Sequence, residues 1–476
     1  MNRFDSTRIL FAALLLAFVS VRPSPAQTFT SLFSFSGNNG ANPQYGSLVQ
    51  GSDGDLYGTT GGGGAHHLGT VFKMTPAGSL IRLHSFAGPD GATPTGGVIE
   101  GTDGKYYGTT LEGGANGSGT IFTITGSGTF TTLYNFCSLA NCADGATPAA
   151  GLFEGTDGSF YGTTEAGGID DNGNGGTICN YCGTLFKITS AGVLTTLYDF
   201  CALRDCPDGA IPYGPLFQSS NGNFYGTTGM GGTEDNGTVF ELTPSGTLTT
   251  LHEFVYYIDG QAPYGALIQG SDGNLYGTTA LGGFFYYYGS IFEINSSNNF
   301  SSLYSFSGPD GWAVYAGLVQ ATDGNFYGTT DSIGTTGYGT VFVYTPAGTL
   351  TTLHTFSGSD GGYSHGTLVQ ATNGLLYGTT TLGGAHNDGT VFSLDLGLGP
   401  FVKPLPVSGS VGQAIRILGT NLTGATAVTF NGTAASFTVV APSLIRATVP
   451  AGATTGTIQV TTPSGTLSSN VAFIVN

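Results

Sequence analysis

Charge is scarce in this chain: 8% of its 476 residues are charged, and Lys and Arg together number 11. Acidic residues number 29 and the formal net charge is −18, so repulsion excludes nucleic acid and anionic membranes as partners. Helical periodicity is missing after residue 30, which removes helix-based folds. Long apolar runs are missing too. The run from Ile9 to Val21 spans 13 residues, short of the roughly 20 that a membrane-spanning helix requires. Nothing resembles a nucleophile elbow, a phosphate loop or a dinucleotide site, so those enzyme signatures give no lead.

What remains is glycine, numbering 82, with abundant Thr, Ser, Tyr and Phe, a mixture suited to short strands and tight turns. The first residues, Met1-Asn-Arg-Phe, the apolar run and then Arg-Pro-Ser-Pro-Ala-Gln, match the three regions of a secretory signal. Residues 1–26 are therefore read as a signal peptide cleaved after Ala26. No Cys follows the small residues, which argues against a lipid anchor. The expectation is a soluble product, secreted or held at the bacterial surface or in the periplasm, with no transmembrane segment in the mature chain.

Tyr-Gly-Thr-Thr begins at Tyr57, Tyr107, Tyr161, Tyr225, Tyr276, Tyr327 and Tyr377, seven copies spaced 50 to 64 residues apart. Each is followed by a Gly-(Thr/Ser)-aliphatic-Phe segment ending at Phe72, Phe122, Phe186, Phe240, Phe292, Phe342 and Phe392. A period near 50 with four strand-like pieces is the size of a propeller blade. In the first unit the pieces are A (Ser47 to Gln50), B (Leu56 to Thr60), C (Thr70 to Thr75) and D (Leu80 to Phe86). Asp53-Gly54 supplies the hairpin turn between A and B. The seventh unit lacks its own D strand, whereas Thr30 to Phe35 carries the D pattern ahead of the first A strand. This segment is expected to complete blade seven and close the ring, leaving no sheet edge open to aggregation. A monomer is expected.

These units resemble the bacterial tandem repeats called GloVer, found in exported proteins that end in different anchors or sorting modules. The resemblance covers roughly residues 28 to 396 and implies a repeat scaffold with no agreed activity. From Phe401 the composition shifts to Val, Ile, Thr and Ala in strands at Ala414 to Leu418, Ala427 to Phe430, Leu444 to Val449 and Gly456 to Thr461. Gly419-Thr-Asn-Leu422, Val428-Thr-Phe-Asn-Gly432 and Thr448-Val-Pro-Ala-Gly452 are similar to the IPT/TIG immunoglobulin-like family, whose domains serve as spacers or binding modules. The expected fold is all-β: a seven-bladed β-propeller over 28–396, a linker at 397–400, and an immunoglobulin-like β-sandwich over 401–476.

Function is sought where a blade departs from its siblings, and the departures concentrate in the D-to-A and B-to-C loops, which share one face of a propeller. Six cysteines pair by spacing as Cys137 with Cys142, Cys179 with Cys182, and Cys201 with Cys206, all around blade three. In an exported protein they read as disulfides stapling long loops. Asp170-Asp171-Asn172-Gly-Asn174 is oxygen-rich enough for calcium, although it lacks the spacing and terminal Glu of an EF-hand. Around blade five the loops gather Tyr256, Tyr257 and Tyr264, then Phe284, Phe285, Tyr286, Tyr287 and Tyr288, then Trp312 and Tyr315. Such rings stack on sugar C–H faces, or else pack on one another as a cap. His66, His67, His365 and His386, with Asp388, fall in loops of blades seven and one without recognisable metal-ligand spacing.

Each A strand ends on a polar residue: Gln50, Glu100, Glu154, Gln218, Gln269, Gln320 and Gln370. Glu100 and Glu154 would suit acid–base glycoside cleavage if their carboxyls lie about 5 to 9.5 Å apart; otherwise the ring simply hydrogen-bonds within the channel. Two functions follow. The first is an exported or surface protein that binds carbohydrate or an extracellular protein through its aromatic loops. The alternative is an extracellular polysaccharide-acting enzyme using the channel carboxylates or a loop-bound metal.

Overall fold

The glycine of each Tyr-Gly-Thr-Thr segment sits where a phenylalanine ring needs room. A Cβ on Gly226 would lie 2.6 Å from Cζ of Phe240 and 2.9 Å from Cδ2 of Leu216, and Gly58 faces Phe72 and Leu48 in the same way. The computed structural model describes residues 27–44, 46–169, 182–201, 205–219, 221–285, 287–332 and 334–476. The secretory-signal reading of residues 1–26 lies outside the described residues, as do Asp170, Asp171, Asn172, Asn174, Cys179 and Tyr286.

Seven antiparallel four-stranded sheets form, each in the order A-B-C-D. In blade one these are Val49–Gln50, Leu56–Thr60, Leu80–Ser85 as D, and Thr70–Met74 as C between B and D. Blade seven consists of Val369–Gln370, Leu376–Thr380 and Thr390–Asp395, and its fourth strand is Thr28–Ser34 from the other end of the chain. Thr28 pairs with Asp395 and Ser34 with Thr390, so the ring closes by strand exchange as the sequence pattern predicts. The first A strand is shorter than expected, because only Val49 and Gln50 pair with strand B, while Leu48 packs into the core and Ser47 lines the axial cavity. All seven C–D pairs shift register at the same place, for example between Val71 and Phe72. One bulge per blade adds the local bend and twist that a propeller sheet requires.

The repeated side chains bind each blade internally. The B-strand tyrosine donates to the turn aspartate four residues earlier, as from Tyr57 to Asp53 at 2.7 Å and from Tyr327 to Asp323 at 2.8 Å. Where the turn carries Asn, Asn221 and Asn373 donate to Tyr225 and Tyr377 instead. The last Thr of the motif meets the first Thr of strand C, as in Thr60 with Thr70 and Thr380 with Thr390, both at 2.8 Å. The D-strand His or Tyr reaches the Asp of the Asp-Gly-Ala segment, as in His84 with Asp90 and Tyr198 with Asp208. Two disulfides, Cys137–Cys142 and Cys201–Cys206, join loops as their spacing predicts, and Cys182 is disulfide-bonded as well.

The C-terminal sandwich packs one sheet of Lys403–Leu405, Ala414–Leu418, Leu444–Thr448 and Phe437–Ala441 against Thr433–Ala434, Ala427–Phe430, Ile458–Thr462 and Gly465–Ser468. Ile417, Leu422, Phe430, Ile445, Val460 and Phe473 fill its core. This sandwich docks on the A–B turns of blades seven, one and two. Phe401 N donates to Thr372 O at 3.0 Å, Ser443 Oγ to Ser52 O at 2.8 Å, and Arg416 pairs with Glu100 at 2.8 Å. Among the described residues no helix is long and apolar enough to cross a membrane.

The B-strand glycine carries a direct test. Gly226→Ala forces a methyl group against Phe240 and Leu216 in a fully packed sheet and is expected to cost about 1–3 kcal/mol. Thermal denaturation measures it, and a variant that melts with the parent would contradict this account of the motif.

Candidate functional site at the open axial mouth

Along the axis the two ends of the propeller differ. At the A–B turn end, the polar residue closing each A strand accepts from the preceding blade. Ser52 N donates to Glu100, Thr102 N to Glu154, Thr156 N to Gln218, Ser219 Oγ to Gln269, Ser271 N to Gln320, Thr322 N to Gln370, and Thr372 N to Gln50. That is a closed hydrogen-bonded ring. Glu100 and Glu154 are members of it, and Glu100 is further held by Arg416 with a side chain only 3% exposed. Arg416 also donates to Gly101 O at 3.0 Å. The sandwich thus covers this end beside blades seven, one and two.

The opposite end, where the D–A loops deliver the chain into the A strands, is free of the sandwich. A small cavity opens there on the axis, lined from all seven blades by residues that include Ser47, Gly96, Ala149, Tyr213, Tyr264, Tyr315 and His365. One equivalent position per blade, twelve residues before the motif tyrosine, is Tyr45, Thr95, Ala149, Tyr213, Tyr264, Tyr315 and His365 in blades one to seven, of which Tyr45 lies outside the described residues. Blades two and three place small or polar residues there, Thr95 and Ala149. Blades four to seven place rings, in an unbroken arc. Tyr213 and Tyr264 meet edge-on with centroids 5.0 Å apart, Tyr264 and Tyr315 stack at 5.9 Å, and Tyr315 meets His365 edge-on at 4.9 Å.

The residue after each Tyr-Gly-Thr-Thr lies beneath this arc. Gly229 allows Tyr264 to lie across it, since a Cβ there would be 2.6 Å from the ring. In blades three and six this position is acidic, Glu165 and Asp331. Asp331 holds His365 Nε2 at 2.5 Å, while Nδ1 of that ring faces Thr381 Oγ1 at 3.3 Å. Glu165 has no such partner among the described residues. Burial alone pushes its carboxyl up to about 7, and its charge is felt at Tyr264, whose hydroxyl is raised by burial first and by Glu165 second.

Away from the axis, the aromatic residues singled out from the sequence divide. Tyr257, Phe284, Phe285 and Tyr287 are exposed, Phe284 at 73%, and beside them Val255 and Ile258 are exposed as well. Tyr256 touches Tyr257 and Tyr287 edge-on. Tyr288 instead packs under Gly308 within the blade five to blade six core, and Trp312 is half-buried with its Nε1 lacking a partner among the described residues. Tyr264 and Tyr315 belong to the axial arc, not to this rim. No group of three or more His, Cys, Asp or Glu among the described residues is placed to hold a metal, and this includes His66, His67, His365 and His386.

Fold and site together define a seven-bladed propeller with an immunoglobulin-like domain on one face and an aromatic mouth on the other. Models of the Gloeobacter/Verrucomicrobia repeat match residues 18–181, 173–283 and 256–437, and the chain belongs to that family. An IPT/TIG domain matches residues 402–475. No curated protein matches the sequence. Among solved structures the chain is similar to a gluconolactonase of Xanthomonas campestris, at 14% identity and a TM-score of 0.40, covering 64% of this chain and 86% of that one. A 6-phosphogluconolactonase from Bacteroides uniformis, named as putative, gives 15% identity and a TM-score of 0.46 over 68% of this chain and 88% of its own. A fungal alcohol oxidase in complex with copper gives 13% identity and 0.46, covering 91% and 97%.

Glu165 makes stability depend on pH. Its folded-state value near 7 lies above the ordinary 4.5, so between these the folded chain holds more protons than the unfolded one, and stability falls as pH rises through that window. Glu165→Gln removes this contribution. From pH 5 to pH 8 the parent is expected to lose roughly 1–2 °C more in Tm than the variant, measured by calorimetry in matched buffers. Parallel pH curves would refute the assignment.

Proposed function

We propose that this chain is an exported carbohydrate-binding protein, whose glycan stacks on the blade-five rim. The observation that carries the reading is the exposure of Tyr257, Phe284, Phe285 and Tyr287 from two adjacent loops, on the face opposite the docked sandwich. The rings touch edge-on, as Phe284 and Phe285 do with 84° between planes, so ring faces stay open to a ligand. Sugar C–H faces suit such surfaces, and loop amides and hydroxyls supply hydrogen bonds. An exposed apolar patch of this kind carries a solvation cost that a ligand relieves. Disulfides support the exported setting.

Hydrolysis by Glu100 and Glu154 finds less support. Both carboxylates accept hydrogen bonds from the neighbouring blade, and a polysaccharide would have to displace the sandwich to reach Glu100.

The test is affinity electrophoresis in gels containing soluble polysaccharides, with Phe284→Ala and Tyr287→Ala as variants. Stacking contacts contribute about 0.5–1.5 kcal/mol each, so the double variant is expected to lose roughly tenfold or more in affinity while keeping the parent's melting temperature. Parent mobility unaltered across the polysaccharide panel, or a double variant retarded as strongly as the parent, would reject the reading.

A further inference from the structure

We infer that the glycan taken by the blade-five rim is cationic, a chain of β-linked amino sugars with free amines. Its sugar rings rest on Phe284 and Phe285, and its ammonium groups face Glu234 and Glu253 of blade four. This inference rests on the glycan reading of the rim and names the class of sugar.

The first support is the distribution of charge. Between Arg204 and Lys403 the sequence has no Lys or Arg, while Asp and Glu recur throughout. That stretch supplies every strand of blades four, five and six, so neither the rim nor the strands of its two neighbouring blades offer such a cation. A uronate or sulfated chain would meet carboxylates with nothing to pair it, and like charges brought together are costly. A polyamine chain is attracted both on contact and from a distance, which the net charge of −18 reinforces.

The second support is where the carboxylates stand. The last D-strand residue accepts a hydrogen bond from the B–C loop of its own blade, as Ser85 Oγ does from Ala65 N, Asn135 Oδ1 from Ala115 N and Ser305 Oγ from Phe284 N. A neutral acceptor therefore satisfies the frame. Blades three and four have Asp199 and Glu253 there instead. Glu253 accepts from Thr233 N at 2.8 Å and from Thr233 Oγ1, and these bonds hold its carboxyl below the ordinary range, so it stays ionised. It stands two residues before exposed Val255, at the root of the loop bearing Tyr257 and Ile258. Gly283 N donates to Tyr256 O at 2.9 Å, which latches that loop to the one bearing Phe284 and Phe285. Glu234, one residue after Thr233, is exposed and holds in blade four the loop position that Phe285 holds in blade five. Acid and ring thus occupy equivalent places on adjacent blades, where packing requires no charge.

Short β-linked oligomers of glucosamine, N-acetylglucosamine and glucose differ mainly at one carbon, which bears an ammonium, an amide or a hydroxyl. Isothermal titration of the full chain at about pH 5.5, where the sugar amines are protonated, is expected to show the glucosamine oligomer binding at least about tenfold tighter than either neutral one. In about 0.5 M salt, which shortens the screening length to roughly 4 Å, most of that margin should vanish. Glu234→Gln/Glu253→Gln should also remove most of the margin, and Gln keeps the acceptor that Thr233 needs. Phe284→Ala/Tyr287→Ala should weaken the glucosamine oligomer by about tenfold. Equal binding of all three oligomers, or a margin that survives in Glu234→Gln/Glu253→Gln, overturns the amino-sugar assignment and leaves the glycan reading of the rim in place. Glucosamine binding undiminished in Phe284→Ala/Tyr287→Ala overturns both, since it marks diffuse attraction to an acidic surface. Absence of heat with the glucosamine oligomer in the folded parent also overturns the assignment.

Discussion

Everything in the propeller rests on one contact, the meeting of two steeply inclined phenylalanine rings across each blade boundary, edge-on at six boundaries and tilted by 59° between Phe200 and Phe240. The Phe that ends a D strand meets the Phe of the next C strand in Phe35–Phe72, Phe86–Phe122, Phe136–Phe186, Phe200–Phe240, Phe254–Phe292, Phe306–Phe342 and Phe356–Phe392. Centroid separations are 5.1–5.4 Å at all seven boundaries. Such a pair contributes roughly 0.5–1.5 kcal/mol beyond the area it buries, and its geometry also dictates what lies around it. The C-strand ring projects over the B strand of its own blade, so that strand must carry glycine. The seventh pair exists only because Phe35 arrives from the N-terminal side, so the packing that joins blades is also what closes the ring.

A second circle, of hydrogen bonds, runs at the A–B turn end. The Gln and Glu side chains from Gln50 to Gln370 each take a donor from the preceding blade, and together they tie the innermost strands where the phenylalanines cannot reach. Glu100 departs from the glutamine pattern in a way that matters, because its charge is met by Arg416 of the sandwich. With both groups nearly buried, removing one partner would strand the other's charge. The circle is therefore also the anchor point of the C-terminal domain.

The repeats, the blade count, the exchanged strand and the sandwich were legible in the sequence because each rests on local pattern: period two in strands, glycine at turns, and a motif that recurs. The strand bounds of Ala414–Leu418 and Ala427–Phe430 agree with the pattern to the residue. What the sequence did not reveal are contacts between residues about 50 or more positions apart. The Tyr57 to Tyr106 stack, the Ser52 to Glu100 hydrogen bond and the Arg416 anchor all depend on how blades sit side by side. Reading loop aromatics from their spacing gave their angular place around the ring but not their distance from the axis. Tyr264 and Tyr315 therefore grouped with Phe284 and Tyr287, although the first pair lines the mouth and the second stands on the rim.

A signal for the axial site was nevertheless present. Aligned on Tyr-Gly-Thr-Thr, the seven copies agree at positions that packing fixes and disagree at two, the series from Tyr45 to His365 and the series from Gly61 to Thr381. Disagreement alone is uninformative, since exposed positions drift. Here the disagreement is ordered: rings occupy blades four to seven and blade one, which are consecutive around the closed ring, and the two acids fall in blades three and six. Drift does not favour neighbours in a ring whose blades lie 50 to 64 residues apart in sequence. The physical reason for order is that these positions adjoin one another only in the closed propeller, where the rings of neighbouring blades touch, as Tyr213 does Tyr264 and Tyr315 does His365.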